Sequence, residues 1–256
     1  MIGDCKMDIF IFFILGTLFG SFYNVVAFSL LDKGQENLKH ILLGRSHCPN
    51  CKEKLSVIEM IPIVSYILLL GKCKNCKQSI SCYYLLGELI TSVTFALLYH
   101  NFGFSIDLLI HLTLGSLLVI SVITDIKKRL ILNKLLIVFG AIILILRIVL
   151  HIALDFYLLY YLVSGFVMFL SLFLVMVLSG NKLGGGDVKL YGVIALTIGA
   201  LDAFYSLFFA SVLGLLIMIP GMLLGKVDRK TQIPFVPFIW IGVLLTYYID
   251  VSAYLL

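Results

Sequence analysis

Four cysteines and two aspartates carry the chemistry this sequence could perform. Cys48-Pro-Asn-Cys51 and Cys73-Lys-Asn-Cys76 are C-x-x-C pairs separated by 21 residues. Four thiolates so arranged suit a tetrahedral zinc ion, each pair closing two ligand positions on one knuckle. The gap slightly exceeds the roughly 15–20 residues common between such pairs. The apolar run Val57–Leu70 accounts for the excess if it lies between the knuckles. Four protein ligands leave no open coordination position, so the metal is expected to be structural. Disulfides and a thioredoxin-type redox pair compete with this reading. The redox pair needs one C-x-x-C near a βαβ pattern, whereas here there are two without it. Cys5 and Cys82 are left over and read as unpaired, small apolar filling.

The aspartates are Asp125, at the end of one apolar stretch before Ile-Lys-Lys-Arg, and Asp187, at the start of another in Gly184-Gly185-Gly186-Asp187-Val188-Lys189-Leu190. Ionisable groups at membrane depth are costly and usually functional. Three glycines ahead of Asp187 let the backbone approach another segment closely. Two carboxylates from different helices in a partly dry site would share a proton. One would act as base toward a water, the other as acid toward a carbonyl or leaving amine, which is the chemistry of an aspartyl protease. Asp125 alone reads equally as a solvated helix flank, and paired acids also suit ion translocation. On the residues, an ion-coupled transporter and a non-enzymatic assembly factor therefore stay open. Glu59 and Glu88 lie at or near predicted interfaces, and His100, His111 and His151 have no spaced partner, which favours packing over metal binding.

These residues must be positioned by membrane helices. Of 256 residues 61% are hydrophobic and 13% charged, against about 45–50% and about 25% in soluble domains. A soluble globule, a disordered chain and a collagen-like fibre are excluded, and the small net charge of +5 gives no support for a nucleic-acid partner. Spans of roughly 20 apolar residues are approached eight times: Asp8–Leu31, Tyr84–His100, Ile106–Ile123, Leu130–Leu150, Phe156–Ser179, Val188–Ala200, Ala203–Leu224 and Ile233–Leu256. The sixth is short and is expected to be tilted, to thin the bilayer or to begin inside the glycine run. The first is too long for a signal-peptide core and no A-x-A-like site follows it.

Basic residues fall in every second loop. Lys33, Lys39, Arg45, Lys52, Lys54, Lys72, Lys74 and Lys77 lie in 32–83; Lys127, Lys128 and Arg129 follow the third span; Lys182 and Lys189 flank the fifth-to-sixth connection; Lys226, Arg229 and Lys230 follow the seventh. The positive-inside rule places these loops, the cysteine-rich one included, in the cytoplasm and both termini outside. Thiols stay reduced there, which favours zinc over disulfides. The expected fold is an all-α multi-pass cell-membrane protein of about eight spans. It divides into a first helix (1–31), a small cytoplasmic zinc-binding insertion (32–83) and a seven-helix membrane part (84–256).

In this order the blocks resemble the type IV prepilin peptidases, membrane aspartyl proteases of the GxGD class. Gly20-Ser21-Phe22-Tyr23-Asn24-Val25-Val26 is similar to the family's first-helix motif, the cysteine pairs to its zinc knuckles, and Glu59-Met60-Ile61-Pro62-Ile63-Val64-Ser65-Tyr66 to the segment between them. Asp125 with Ile131-Leu132-Asn133 resembles the first catalytic block, Gly184 to Leu190 the GxGD block, and Pro234-Phe235-Val236-Pro237-Phe238 the last-helix motif. The chain departs from the usual pattern at Ser29, Leu31, Tyr83, Leu85 and Leu132. The resemblance implies Asp125 and Asp187 as the catalytic pair, supported by Gly184, Gly186 and Lys189. It implies a pilin or pseudopilin precursor as substrate, its basic leader in the cytoplasm and its apolar helix in the bilayer, with cleavage after a glycine. It also implies N-methylation of the new amine by S-adenosylmethionine, associated with the cytoplasmic insertion.

Overall fold

Long apolar runs can satisfy their backbone polar groups inside a bilayer only as helices or closed barrels, and this chain forms helices. The computed structural model describes residues 2–31, 48, 50–54, 56, 58–154, 157–180, 183–225 and 233–248, with side chains at all of these but 2–5 and 58. Lys33, Lys39, Arg45, Lys182, Lys226, Arg229 and Lys230, used above for orientation, lie outside the described residues, as does the stretch 249–256 of the eighth predicted span. The chain divides into two compact units, Met1–His100 and Asn101–Leu256.

The first unit contains α1 (Ile2–Leu31), a 3-10 turn (Ile58–Met60), the short α2 (Val64–Leu68) and α3 (Cys82–Phe102). Helices α1 and α3 meet at small residues. A Cβ on Gly20 would lie 2.7 Å from the Cα of Glu88, and the Asn24 amide donates to the Tyr84 carbonyl at 2.8 Å. Phe12 stacks on Tyr99 with centroids 4.3 Å apart, and the Tyr99 hydroxyl donates to Asp8 Oδ2 at 2.9 Å. The first-helix motif is therefore a helix-packing device, in which close approach replaces the hydrophobic drive that lipid does not supply.

The second unit contains α4 (Ile106–Lys128), α5 (Asn133–Leu154), α6 (Leu158–Leu178), α7 (Gly185–Ile198), α8 (Ala200–Leu223) and α9 (Val236–Thr246). Ser105 caps α4, its hydroxyl accepting from Leu108 N–H at 3.1 Å, with Asp107 in the first turn, where the helix dipole favours an acid. The helix is enclosed almost throughout, burying a continuous run from Leu114 to Asp125. By contrast α8 buries only Ala203, Ser206, Ala210 and Gly214, a stripe of small residues against α9, where a Cβ on Gly242 would collide with the Ser206 carbonyl.

Six helices, α1 from Lys6, α3, α4, α5, α6 and α8, are long and apolar enough to cross a membrane, and the protein is multi-pass. The other two predicted spans are shorter helices. At 14 residues α7 begins inside the glycine run and stops at Gly199, whose φ of 89° ends α7 and leads directly into α8. At about 1.5 Å per residue α7 is roughly 21 Å long. Its last turn is held by Arg147, a buried residue of α5 that donates to the Thr197 carbonyl, lies 3.5 Å from Asp107 and stacks on the Tyr161 ring at 3.6 Å. That partner set compensates a buried cation. The third predicted span ended at Ile123; the helix continues to Lys128, because Arg129 takes a left-handed cap whose N–H bonds the Asp125 carbonyl at 2.8 Å.

Candidate active site

Asp125 occupies the last turn of α4 and is 7% exposed. Its Oδ2 accepts the Val236 N–H at 2.9 Å. The segment Pro234-Phe235-Val236-Pro237-Phe238 explains why that donor is available. Phe235 is the N-cap of α9 and Pro237 stands in its first turn, as is usual where a missing N–H does no harm. Phe238 and Ile239 return their N–H groups to the Phe235 carbonyl at 3.0 and 3.2 Å. The Val236 donor is left pointing out of the helix end, and Asp125 takes it.

Asp187 stands in the first turn of α7, with Gly184 as N-cap. The two glycines of the block have different work. A Cβ on Gly184 would lie 2.6 Å from Asp187 Oδ2, in the space the carboxylate occupies. A Cβ on Gly186 would lie 3.0 Å from the Cβ of Ile131, in the connection that follows Asp125. Lys189 Nζ donates to Asn133 Oδ1 at 3.0 Å. The Asp125 and Asp187 blocks are thus joined twice, by apolar contact at Gly186 and Ile131 and by a hydrogen bond at Lys189 and Asn133. Asp187 lies in the first turn of α7 and Asp125 is bonded at the start of α9, so each acid sits at the positive end of a helix dipole.

The Val236 N–H is a part of this site that no side chain assigned, although Ile131 and the segment from Pro234 to Phe238 both belong to blocks the resemblance picks out; the proline spacing at 234 and 237 was the signal that could have found the donor. Tyr191, one turn after Asp187 on the same face of α7, is also buried within reach of its charge. His111 is a packing residue, stacked on Phe102 at 3.9 Å with Nδ1 3.0 Å from the Tyr247 hydroxyl.

In the first unit, Cys48, Cys51, Cys73 and Cys76 converge, all four Sγ atoms lying within 4.8 Å of one another. The two knuckles repeat one geometry. Cys48 N–H bonds the Glu53 carbonyl and Lys52 N–H the Cys48 carbonyl, both at 2.9 Å; Cys73 N–H bonds Gln78 at 2.9 Å and Lys77 N–H bonds Cys73 at 3.0 Å. Lys52 and Lys77 each turn through positive φ, 55° and 58°. Sγ of Cys48 lies 3.8 Å from that of Cys76, and Sγ of Cys51 lies 4.0 Å from that of Cys73. A tetrahedron with metal–sulfur bonds of about 2.3 Å has an edge of about 3.8 Å, so these sulfurs fit a four-coordinate metal ion. They are far outside the roughly 2.05 Å of a disulfide, and all are free thiols. The Gln78 N–H and then the Asn50 amide pull the Cys76 thiol down to about 6, and the Cys51 and Asn50 N–H groups lower Cys48. Both favour the thiolate that a metal needs; at Cys51 the Glu53 N–H acts the same way, but burial and the three neighbouring sulfurs outweigh it and push that thiol up to about 11. Cys82 is exposed at the first turn of α3 and does not fill a core, which corrects the expectation for it. Glu59 accepts the Ser56 N–H at 2.7 Å, which holds its carboxyl below the usual range.

Residues 14–102 match the bacterial peptidase A24 N-terminal domain and residues 112–219 match the type IV leader peptidase family. A protein of Bacillus subtilis (strain 168) named prepilin leader peptidase/N-methyltransferase is 34% identical over 93% of this chain and 92% of its own length. Proteins of the same name are 27% identical in Dichelobacter nodosus, over 81% of this chain and 72% of that one, and 36% identical in Neisseria gonorrhoeae, over 41% and 42%. No solved structure matches the chain.

Proposed function

The chain belongs to the type IV prepilin leader peptidase family, peptidase A24, and from that membership we propose that it is an aspartyl endopeptidase whose catalytic pair is Asp125 and Asp187. The observation that carries the proposal is the double join between the two acid blocks, with the Val236 N–H committed to Asp125. A carboxyl that accepts backbone N–H at a helix N-terminus is stabilised as the anion, so Asp125 acts as the base and Asp187 carries the shared proton. Water gives its proton to Asp125 as its oxygen adds to the scissile carbonyl carbon, and Asp187 protonates the carbonyl oxygen. Collapse of the tetrahedral intermediate breaks the C–N bond as the proton held by Asp125 passes to the leaving amine and a hydroxyl proton of the intermediate returns to Asp187, which restores the pair. The products are the leader's carboxylate and the mature amine.

The substrate is a type IV prepilin or pseudopilin, with the leader on the side of the basic loops. That loop distribution supports a cytoplasmic insertion over 32–83, both termini outside, and a membrane peptidase part over 84–256. Cys48, Cys51, Cys73 and Cys76 hold a zinc ion, which supplies a cross-link in a segment with little core of its own. The relatives' names support a second activity, methylation of the new N-terminal amine from S-adenosylmethionine.

A purified chain incubated with a model prepilin is expected to release the leader, read by product mass. Asp125→Asn and Asp187→Asn should each abolish release while membrane insertion persists. Substantial cleavage by either variant refutes the pair. An ion-coupled transporter built on the same two acids would instead lose ion flux in both variants and never cleave.

A further inference from the structure

Between the knuckles the chain presents a surface that a metal site does not require. Residues 60–70 expose Met60, Ile61, Val64, Ile67, Leu68 and Leu70, the last three at 61, 68 and 83%. An apolar patch of this kind marks a partner. One hydrogen bond ties it to α3: Ile63, at a φ of 62°, donates its N–H to Glu88 Oε2 at 2.7 Å. Glu88 is the seventh residue of α3, one of the helices able to cross a membrane. Six rises of about 1.5 Å put it about 9 Å from the start of that helix, within the roughly 5–10 Å to which interfacial segments sink below the headgroups. Pro62 is buried and Tyr66 packs on Gly71, so this side of the segment faces protein while the six apolar side chains face away. Exposed lysines flank it in the chain, Lys52 and Lys54 before it and Lys72, Lys74 and Lys77 after it.

We propose that residues 60–70 are an interfacial anchor that seats the four-cysteine insertion on an anionic phospholipid leaflet, apolar side chains at the acyl boundary and lysines at the phosphates. The charge sign selects the lipid: juxtamembrane lysines are drawn to an anionic surface and not to a zwitterionic one. The proposal depends on the chain being multi-pass and on nothing assigned to Asp125 or Asp187, so it stands or falls separately from the peptidase reading.

The chain has a single tryptophan, so Leu68→Trp and Leu70→Trp in a Trp240→Phe background report on the anchor alone. The full chain is reconstituted in nanodiscs of phosphatidylcholine and phosphatidylglycerol, with or without bromine on the acyl chains. Both variants should emit to the blue and be quenched severalfold more strongly by bromolipid than by aqueous iodide, with Lys74→Trp behaving in reverse. Bromine quenching at Leu68→Trp should weaken when phosphatidylcholine replaces phosphatidylglycerol. Quenching by iodide alone overturns the proposal. Protection from both quenchers also overturns it, since a substrate or a second copy would then cover the face. Bromine quenching that ignores phosphatidylglycerol content overturns the anionic preference. Monodisperse elution of each variant guards against misfolding, and Leu70→Trp, at the most exposed position, serves if Leu68→Trp fails that check.

Discussion

Gly184→Ala and Gly186→Ala make the same change, one hydrogen for one methyl, and should differ in how the loss divides between activity and stability. At Gly184 the new Cβ would fall 2.6 Å from Asp187 Oδ2, about 0.8 Å short of an ordinary 3.4 Å contact. The atom that must yield is the tip of a short side chain, so the fold loses little. It is, however, the carboxylate proposed to carry the proton, and a displacement near 1 Å at a reacting group costs about 100-fold. At Gly186 the Cβ would fall 3.0 Å from Ile131 Cβ, about 0.4 Å short, and that atom is tied to the backbone between α4 and α5. Overpacking there costs about 1–3 kcal/mol, offset by about 1 kcal/mol of helix propensity gained on losing a glycine. Gly186→Ala should thus lower thermal stability slightly and activity by about tenfold. Ile131→Ala, which frees the Cγ1 and Cδ1 side of the contact, should restore part of both. No change at Ile131 should rescue Gly184→Ala. Leader release under single-turnover conditions, read with a melting curve for each variant, makes the comparison. A fully active Gly184→Ala protein, or a Gly184→Ala protein rescued by Ile131→Ala, refutes the assignment of the two glycines.

Other perturbations separate the remaining contacts. Arg147→Met strips Asp107 and the Thr197 carbonyl of a buried partner and should destabilise the protein by about 3 kcal/mol, seen as a lower unfolding temperature in detergent; Arg147→Lys should recover only part, having lost the ring stack and the fork. Lys189→Met and Asn133→Ala should each slow leader release less than about tenfold and combine non-additively, since an exposed pair contributes about 1 kcal/mol or less. Cys48→Ser should lower bound zinc in elemental analysis of reduced protein while cleavage by the second unit is retained in part; zinc at wild-type content in the variant contradicts the four-ligand site. Supplying S-adenosylmethionine should add one methyl mass to the processed N-terminus, and a processed amine that never gains it identifies a peptidase without the second activity.

Element placement was legible because composition and period carry it: the eight apolar helices among the described residues fall on the eight predicted stretches, and α7 differs from its stretch by only a few residues at each end. The cysteine cluster was legible because spacing within each knuckle fixes the turn, and the turn fixes the sulfurs. What could not be read was anything made by backbone. The Val236 donor has no side-chain signature, and its value to Asp125 arises only when α9 and α4 end at the same place. Gly186 announces close approach without naming Ile131 as what is approached. Arg147, near the end of the fourth predicted span, has no pattern that marks its partners; its buried role depends on α7 being short enough to end beside it.

The shortness of α7 also bears on how the protein gets into the membrane. A segment of about 21 Å that opens with two glycines, Asp187 and Lys189 falls short of a hydrocarbon core about 30 Å thick, and acidic and basic residues are the costliest to partition. It has no stop of its own, because Gly199 alone separates it from the 24 residues of α8. The short α7 and the long α8 are expected to partition as one hairpin, with α8 contributing most of the apolar length. Because α5 precedes α7 in the chain, Arg147 and Asn133 are available to hold the Thr197 carbonyl and Lys189, one partner for each end of α7.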